Sequence, residues 1–371
     1  MTRMVPLARR NLFQERRRAV LAVAGVAVAL LLVLVLQGIF AGAMRQVTAY
    51  IRHSPADLVV SQRGVRTMHM SASALSPDTV ARARAVPGVA WAAGIDFTTV
   101  VVGSASGRQL SYVIGYDPTD RRGGPRRLSR GRAPGRGEAV LDEIAAKQLH
   151  VGLGGRVQAL GAAFTVSGLF RGGTSIVNTT TFVTADDFAR LRGPAVSYVL
   201  VGARAGTKPD ELARTLAATL PATTVQSRAE FARQEARIVS DMSADIMRIM
   251  AAIGFAIALA VVGLTLFTVT LAKLREYGVL KALGARPRRL AAVVAGQAVW
   301  SVALSLVVAV ALALLVGAVV GRLTPTVQLV VEPADVLRVG LGGLVVGALG
   351  AILPLRRVLR VDPASAFRRP S

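Results

Sequence analysis

The chain has 371 residues, 53% of them hydrophobic, a mean hydropathy of +0.50, a formal net charge of +24 and no cysteine. Without cysteine, disulfides, thiolate metal sites and cysteine nucleophiles are excluded. With only 5% aromatics and the apolar residues massed in runs, the high charge does not read as nucleic-acid binding, where basic residues interleave with polar and aromatic ones.

The chain opens on a basic tail, with Arg3, Arg9, Arg10, Arg16, Arg17 and Arg18 against Glu15. An apolar run then extends from Ala19 to about Ala43. A bilayer core needs roughly 20 apolar residues in helical form, so this run is long enough to span. Ala41-Gly42-Ala43 could pass as a leader cleavage site, but the run far exceeds the apolar core of a signal peptide. It is expected to stay as an anchor.

The next 200 or so residues, about Met44 to Met247, are enough for an independent domain. They hold 25 Lys and Arg against 16 Asp and Glu, a net +9. Alternating β-branched runs predict strands over Asp57–Ser61, Thr98–Val102, Leu110–Gly115, Arg156–Leu169, Thr180–Val183 and Ser197–Val201. Ser76-Pro77-Asp78 opens a helix to about Ala85, with serine at the cap and proline in the first turn. A second helix starts near Pro209 and sets Leu212, Leu216 and Leu220 on one face. This mixture predicts an α+β domain.

Pro118–Gly137 carries Arg121, Arg122, Arg126, Arg127, Arg130, Arg132 and Arg136 among glycines and prolines, with no apolar period. It reads as a flexible, solvated surface loop. The alternative is contact with outer-leaflet phosphates or an acidic substrate. From Arg228 to Met247 a charged, alanine-rich helical pattern runs without Gly or Pro into a second apolar stretch, about Ile249 to Leu271. Such an unbroken helix would carry motion between outer domain and membrane, because a continuous helix resists bending.

A short basic loop follows, then a third apolar stretch over about Leu290 to Val320 and a fourth over about Leu337 to Leu355. The third is longer than a perpendicular crossing needs, which implies tilt. In the fourth, Gly343 and Gly347 have the spacing that lets helix backbones approach closely in lipid. Charges in the flanks set the orientation. Lys273, Arg275, Lys281, Arg286, Arg288 and Arg289 face a single Glu276 between the second and third stretches. Arg356, Arg357, Arg360, Arg368 and Arg369 face Asp362 in the tail. The connection between the third and fourth is far less basic, so both termini and the basic loop are expected in the cytoplasm. The anionic partner of these flanks is first of all membrane lipid.

The reading is an α-helical membrane protein with four transmembrane helices and an α+β extracytoplasmic domain between the first and second. The expected segments are a cytoplasmic amphipathic elbow (1–18), the first span (19–43), the outer domain (44–247), the second span (248–271), a cytoplasmic loop (272–289), the third span (290–320), an external loop (321–336), the fourth span (337–355) and a cytoplasmic tail (356–371).

Catalytic chemistry is not legible. There is no G-x-x-x-x-G-K-[ST] phosphate loop, and Gly152-Leu153-Gly154-Gly155 reads as a turn beside a strand. His53, His69 and His150 are widely separated and read as surface residues; no metal motif and no G-x-S-x-G elbow occurs. No span has a central charge, which an ion-coupled pump would need. The expectation is therefore no catalytic, cofactor-binding or metal-ligating residue in this chain.

The most informative stretch is Lys273-Leu274-Arg275-Glu276-Tyr277-Gly278-Val279-Leu280-Lys281-Ala282-Leu283-Gly284-Ala285-Arg286-Pro287. Val279, Leu280 and Leu283 form a small apolar face, Gly284 can end the helix and Pro287 follows. Taken alone, it reads as a basic helix on the lipid surface. The stretch resembles the signature after the second span of FtsX-like and MacB-like permeases of ABC transporters. Ala8-Arg9-Arg10-Asn11-Leu12-Phe13 is similar to that family's elbow helix, and Pro354-Leu355-Arg356-Arg357 through Asp362-Pro363-Ala364 to its usual ending. Gly131-Arg132, Glu138-Ala139-Val140-Leu141 and Ala145-Ala146-Lys147-Gln148-Leu149 resemble its periplasmic core domain. One departure is Tyr277, where an aliphatic residue is common.

The resemblance implies that Lys273, Arg275, Glu276, Gly278, Val279, Leu280, Lys281, Ala282, Leu283, Gly284 and Ala285 make a coupling helix docked on a cytoplasmic ABC ATPase. ATP and Mg would be bound by that partner and not by this chain. It further implies a permease dimer in the bacterial inner membrane, multi-pass, with a periplasmic adaptor as a further possible partner and no nucleic acid. The expected function is export or extraction of a lipophilic or peptide substrate, driven by ATP through motion of the outer domain. The alternative is a non-transporting, signalling permease that activates a partner such as a cell-wall hydrolase. A third reading, a membrane-anchored binding protein, is disfavoured by the coupling motif.

Overall fold

A computed structural model describes residues 16–69, 71–174, 178–272, 279, 283, 287–324 and 326–359. The chain divides into two units. One comprises the chain up to Ala41, Ser243–Thr324 and the residues from Gln328 onward; the other comprises Gly42–Met242 with Pro325–Val327.

Among the described residues, the helical unit draws on four long helices: α1 (Arg16–Val47), α7 (Arg228–Ala272), α8 (Pro287–Leu323) and α9 (Pro333–Leu359). Their inward positions form one apolar cluster, with Leu30, Leu34, Val262, Ala309, Ala313 and Val339 all at 2% exposure or less. Small residues set the spacing. A Cβ on Gly347 would lie 2.9 Å from Val302 Cγ2, and one on Gly343 3.2 Å from Val302 Cγ1, so the two glycines one turn apart admit α8 against α9. The Ser305 hydroxyl donates to the carbonyl of Val23 at 3.0 Å, which satisfies a polar group inside an apolar packing.

Among the described residues, three helices are long and apolar enough to cross a bilayer: Val23–Val47, Ala295–Leu323 and Pro333–Ile352. In α7 the apolar stretch found among the described residues, Arg248–Leu264, is shorter. The elbow (1–15) and the tail beyond Leu359 lie outside the described residues.

The second unit, called the outer unit after the location expected from the sequence, is α+β. Its strands are β1 (Leu58–Gln62), β2 (Val89–Gly103), β3 (Arg108–Tyr116), β4 (Leu128–Gly131), β5 (Glu138–Asp142), β6 (Arg156–Ala159), β7 (Ala162–Phe170), β8 (Thr179–Thr184), β9 (Tyr198–Ala203) and β10 (Thr223–Ser227). Short helices are α2 (Ala49–His53), α3 (Asp78–Arg84), α4 (Glu143–Gln148), α5 (Ala185–Arg192) and α6 (Pro209–Thr219). The strands run in the order β10-β1-β9-β2-β3-β8-β5-β7-β4, with β6 beside β2 and β7. The long β2 joins two halves: residues 89–95 pair with β9, and residues 96–103 with β3. The pairs β3/β8 and β5/β7 are parallel.

Three apolar clusters fill this unit. Leu212, Leu216 and Leu220 pack with Leu58, Val199 and Val201, as the leucine spacing of α6 requires. A second cluster gathers Val102, Leu141, Leu149 and Phe164, and a third is aromatic, with Phe170, Phe182, Tyr198 and Phe231.

Several local expectations need correction. The run Arg156–Leu169 is not one strand: it folds back at Leu160 (φ 53°) and Gly161 (φ 81°) into the β6/β7 hairpin. Two consecutive positive φ values are what a tight primed turn demands. The helix after Ser76 begins at Asp78 with Pro77 in the cap position, and the Ser76 carbonyl, not its hydroxyl, accepts from the Thr79 N–H at 2.9 Å. The segment Pro118–Gly137 is a tied-down wall that includes β4, not a flexible loop.

Candidate functional site

Of the residues expected to couple to an ATPase, Val279 and Leu283 lie among the described ones. They sit one helical turn apart, the Leu283 N–H donating to the Val279 carbonyl at 3.0 Å, and both are exposed, Leu283 at 80%. Two apolar side chains on one turn, presented to the outside, are the raw material of a docking knob. Lys273, Arg275, Glu276, Gly278, Leu280, Lys281, Ala282, Gly284 and Ala285 fall outside the described residues.

A second constellation was not legible as a unit in the sequence. In the outer unit, the wall built by the arginine-rich segment encloses a cavity of about 1410 Å³. Several contacts hold the wall in place. The Tyr50 hydroxyl donates to the Gly123 carbonyl at 2.8 Å, and the Arg122 guanidinium lies 4.5 Å above the Trp91 ring. Glu138 receives both terminal nitrogens of Arg132 at 2.6 Å, and the fully buried Asp187 accepts the Gly137 N–H at 2.7 Å. Gly123 has φ 88°, and a Cβ there would stand 2.4 Å from Ile95, so only glycine lets the wall approach the sheet this closely.

The same segment contributes Arg121, Arg126, Arg127 and Arg132 to the cavity lining. Arg52 from α2, Arg171 after β7 and Arg228 at the start of α7 add three more guanidinium groups. No carboxylate lines the cavity among the described residues. Arg132 and Arg171 are paired with Glu138 and Glu143, which lie outside the lining, and Arg228 donates to the Ser54 carbonyl at 2.8 Å. Arg52, Arg121, Arg126 and Arg127 have no ion-pair partner among the described residues.

Beneath the arginines the floor is aromatic. Phe182 meets Phe170 at 5.0 Å, Tyr116 at 5.8 Å and Tyr50 at 6.2 Å between ring centroids. Burial pushes the Tyr116 hydroxyl up to about 12, against the pull of the nearby Arg121 charge. Burial likewise raises Tyr50.

Next to this floor lies a buried polar relay. Glu235 of α7, 2% exposed, accepts from His69 Nδ1 at 2.6 Å and from the backbone N–H groups of Met68 and His69. His69 Nε2 contacts the Tyr112 hydroxyl. Burial raises Tyr112, the hydrogen bond with Asn178 lowers it, and the Glu235 charge raises it further. His69, expected at the surface, is thus half-buried and joined to a carboxylate 166 residues away, a pairing no local pattern announces. The relay ties the loop after β1 and strand β3 to the first turns of α7.

The family comparisons agree with the order of the parts. Residues 19–219 match the model of the MacB-like periplasmic core domain, and residues 248–363 match the FtsX-like permease C-terminal model. An uncharacterized ABC transporter permease of Mycobacterium tuberculosis is 24% identical over 372 residues, covering 99% of this chain and all of the relative. A second permease of that organism, also uncharacterized, is 24% identical over 379 residues with the same coverage. Among solved structures, the periplasmic region of MacB from Actinobacillus actinomycetemcomitans aligns with a TM-score of 0.37 and 13% identity, covering 48% of this chain and 92% of that one. Two family models in tandem, together spanning the outer domain and the membrane helices, settle the assignment: this chain belongs to the FtsX-like, MacB-like family of ABC transporter permeases.

Proposed function

We propose that this chain is the transmembrane subunit that couples ATP hydrolysis by a separate cytoplasmic ABC ATPase to motion of its extracytoplasmic domain, exporting or extracting a lipophilic or peptide substrate. The observation that carries the reading is the coupling segment: a basic sequence containing Arg275-Glu276 between α7 and α8, in which Val279 and Leu283 are exposed. Two exposed apolar side chains in a segment rich in basic residues suit a groove on a partner protein better than they suit water. The ATPase binds ATP and Mg; residues 273–285 make the contact with it.

In this reading the chain crosses the membrane four times, α7 contributing the second crossing, with both termini and the coupling segment cytoplasmic and the outer unit beyond the inner membrane. Basic residues flanking the spans support that orientation. Continuity of α7 from Arg228 to Ala272 supports transmission by a stiff lever. The working assembly is a permease dimer with two ATPase subunits, in contact with lipid and open to a periplasmic adaptor. The presence of a large lined cavity in the outer unit favours substrate handling over pure signalling.

The test is an affinity pull-down of the tagged chain in mild detergent, wild type beside a Glu276→Lys, Gly284→Asp double variant. An ATPase that co-purifies with wild type and is lost with the variant supports the reading. Absence of an ATPase from both removes the energy source and ends it.

A further inference from the structure

We infer that the arginine-lined cavity of the outer unit is a binding site for the phosphate headgroup of an anionic phospholipid, with the aromatic floor taking the start of its acyl chains. The inference rests on the reading of the outer unit as the substrate-handling part.

Charge comes first. Seven guanidinium groups converge on one concavity and no carboxylate faces them among the described residues. Such a concavity focuses a positive field and raises the local concentration of anions. In the empty cavity the like charges repel, so an anion entering it relieves that cost as well as gaining its own contacts. A merely solvated basic surface would intersperse its arginines with acids; here only Arg132 and Arg171 of the seven are held by carboxylates among the described residues, Glu138 and Glu143, and both of those lie outside the lining.

The residue type narrows the ligand. All seven cations are arginine and none is lysine, although the chain does use lysine elsewhere, as at Lys147 and Lys208. The planar guanidinium presents paired N–H donors that match the oxygens of phosphate, and it remains charged at every physiological pH. Five of the seven lack a carboxylate partner among the described residues, and of these only Arg228 has its guanidinium engaged, by the Ser54 carbonyl, so the donors of Arg52, Arg121, Arg126 and Arg127 are available.

The remaining features select an amphiphile over a bare anion. At about 1410 Å³ the cavity is larger than most small-molecule sites, which run roughly 300–1,000 Å³. Phe170, Phe182 and Tyr116 give it an apolar floor that a hydrated phosphate ion has no use for. Part of its lining, Gln46 to Pro55, begins in the last two residues of the apolar stretch Val23–Val47 and continues beyond it along the chain. An acyl chain would therefore meet apolar surface and the headgroup would meet the arginines.

The full chain contains no cysteine, so a single thiol can report on the site. Ser129 lines the cavity and is exposed, and Ser106 is exposed and outside the lining. Full-length Ser129→Cys and Ser106→Cys chains, in non-ionic detergent, would be labelled with a maleimide in the presence of dihexanoyl phosphatidylglycerol. Controls are dihexanoyl phosphatidylcholine, glycerol phosphate and inorganic phosphate. Occupancy slows labelling by the factor one plus ligand over dissociation constant, about tenfold at a tenfold excess over that constant. The expected result is slowing at position 129 by phosphatidylglycerol only, weakened by salt, absent at position 106, and abolished by Arg121→Gln, Arg126→Gln, Arg127→Gln together. Equal protection by inorganic phosphate or glycerol phosphate would make the site a free-phosphate site and overturn the lipid assignment. Equal protection by phosphatidylcholine, or persistence in the triple variant, would overturn the role of charge. The assay involves no ATPase, so failure here with an intact pull-down sinks this inference alone.

Discussion

Asp96 offers a quantitative check on the outer unit. It lies in the middle of β2, directly opposite Gly115 in β3, and is only 5% exposed. Burial pushes its carboxyl from 3.8 to about 7, although a hydrogen bond from the Ser197 backbone pulls the other way. The folded-state value is therefore above the unfolded one. Between 3.8 and about 7 the folded chain keeps a proton that the unfolded chain releases, so stability falls as pH rises through this window and levels off above it. At 1.36 kcal/mol per unit the total loss is about 4 kcal/mol. Replacing Asp96 by Asn removes the charge at almost constant shape. The variant is expected to match wild type near pH 4 and to be more stable at pH 8 by up to about 4 kcal/mol, which is up to about 8–16 °C in melting temperature for a domain of this size. Trp91 shares β2 with Asp96, and the other tryptophan is Trp300. A full-length Trp300→Phe chain in detergent thus reports the outer unit through Trp91 fluorescence. Glu138 is held below its ordinary value chiefly by Arg132, and Glu143 by Ser129 and then Arg171; both act in more acid solution and cancel between variant and parent. A difference between Asp96→Asn and its parent that does not change from pH 4 to pH 8 would refute the reasoning.

Other expectations follow from single contacts. Glu235→Ala strips acceptors from His69 and from two backbone N–H groups in a buried site, and should destabilise the outer unit by about 3 kcal/mol or more in urea melts, with Glu235→Gln costing less. Gly347→Val forces a side chain into Val302 and should cost the helical unit about 1–3 kcal/mol, read as earlier loss of Trp300 fluorescence on heating. Leu283→Asp changes an exposed residue, so it should leave both melts unchanged while abolishing co-purification of the ATPase.

What the sequence could show depended on the range of the forces involved. Long apolar runs declare themselves residue by residue, and so did the leucine face of α6, because both patterns are local. Alternation found most strands, yet it missed the hairpin inside Arg156–Leu169: apolar residues continue on both sides of Leu160-Gly161, and the two positive φ values mark the turn. The arginine-rich segment misled because composition alone suggests solvation. Its order comes from distant partners, Tyr50, Trp91 and Asp187, that no window over 118–137 contains. His69 was misjudged for the same reason, since Glu235 reaches it only through the fold. The cavity combines these cases: four of its arginines were visible as a run, but Arg52, Arg171 and Arg228 converge with them through tertiary structure.

The central claim is that the segment between α7 and α8 docks on an ATPase, and photo-crosslinking from position 283 tests it most directly. A benzophenone amino acid would replace Leu283, which is 80% exposed, in cells that express the native partner set, with Leu153 on the outer unit as the control position. The account predicts an ultraviolet-dependent adduct from position 283 to a protein carrying a G-x-x-x-x-G-K-[ST] loop, and none from position 153. Adducts from position 283 to lipid alone, with no such protein captured, would contradict it.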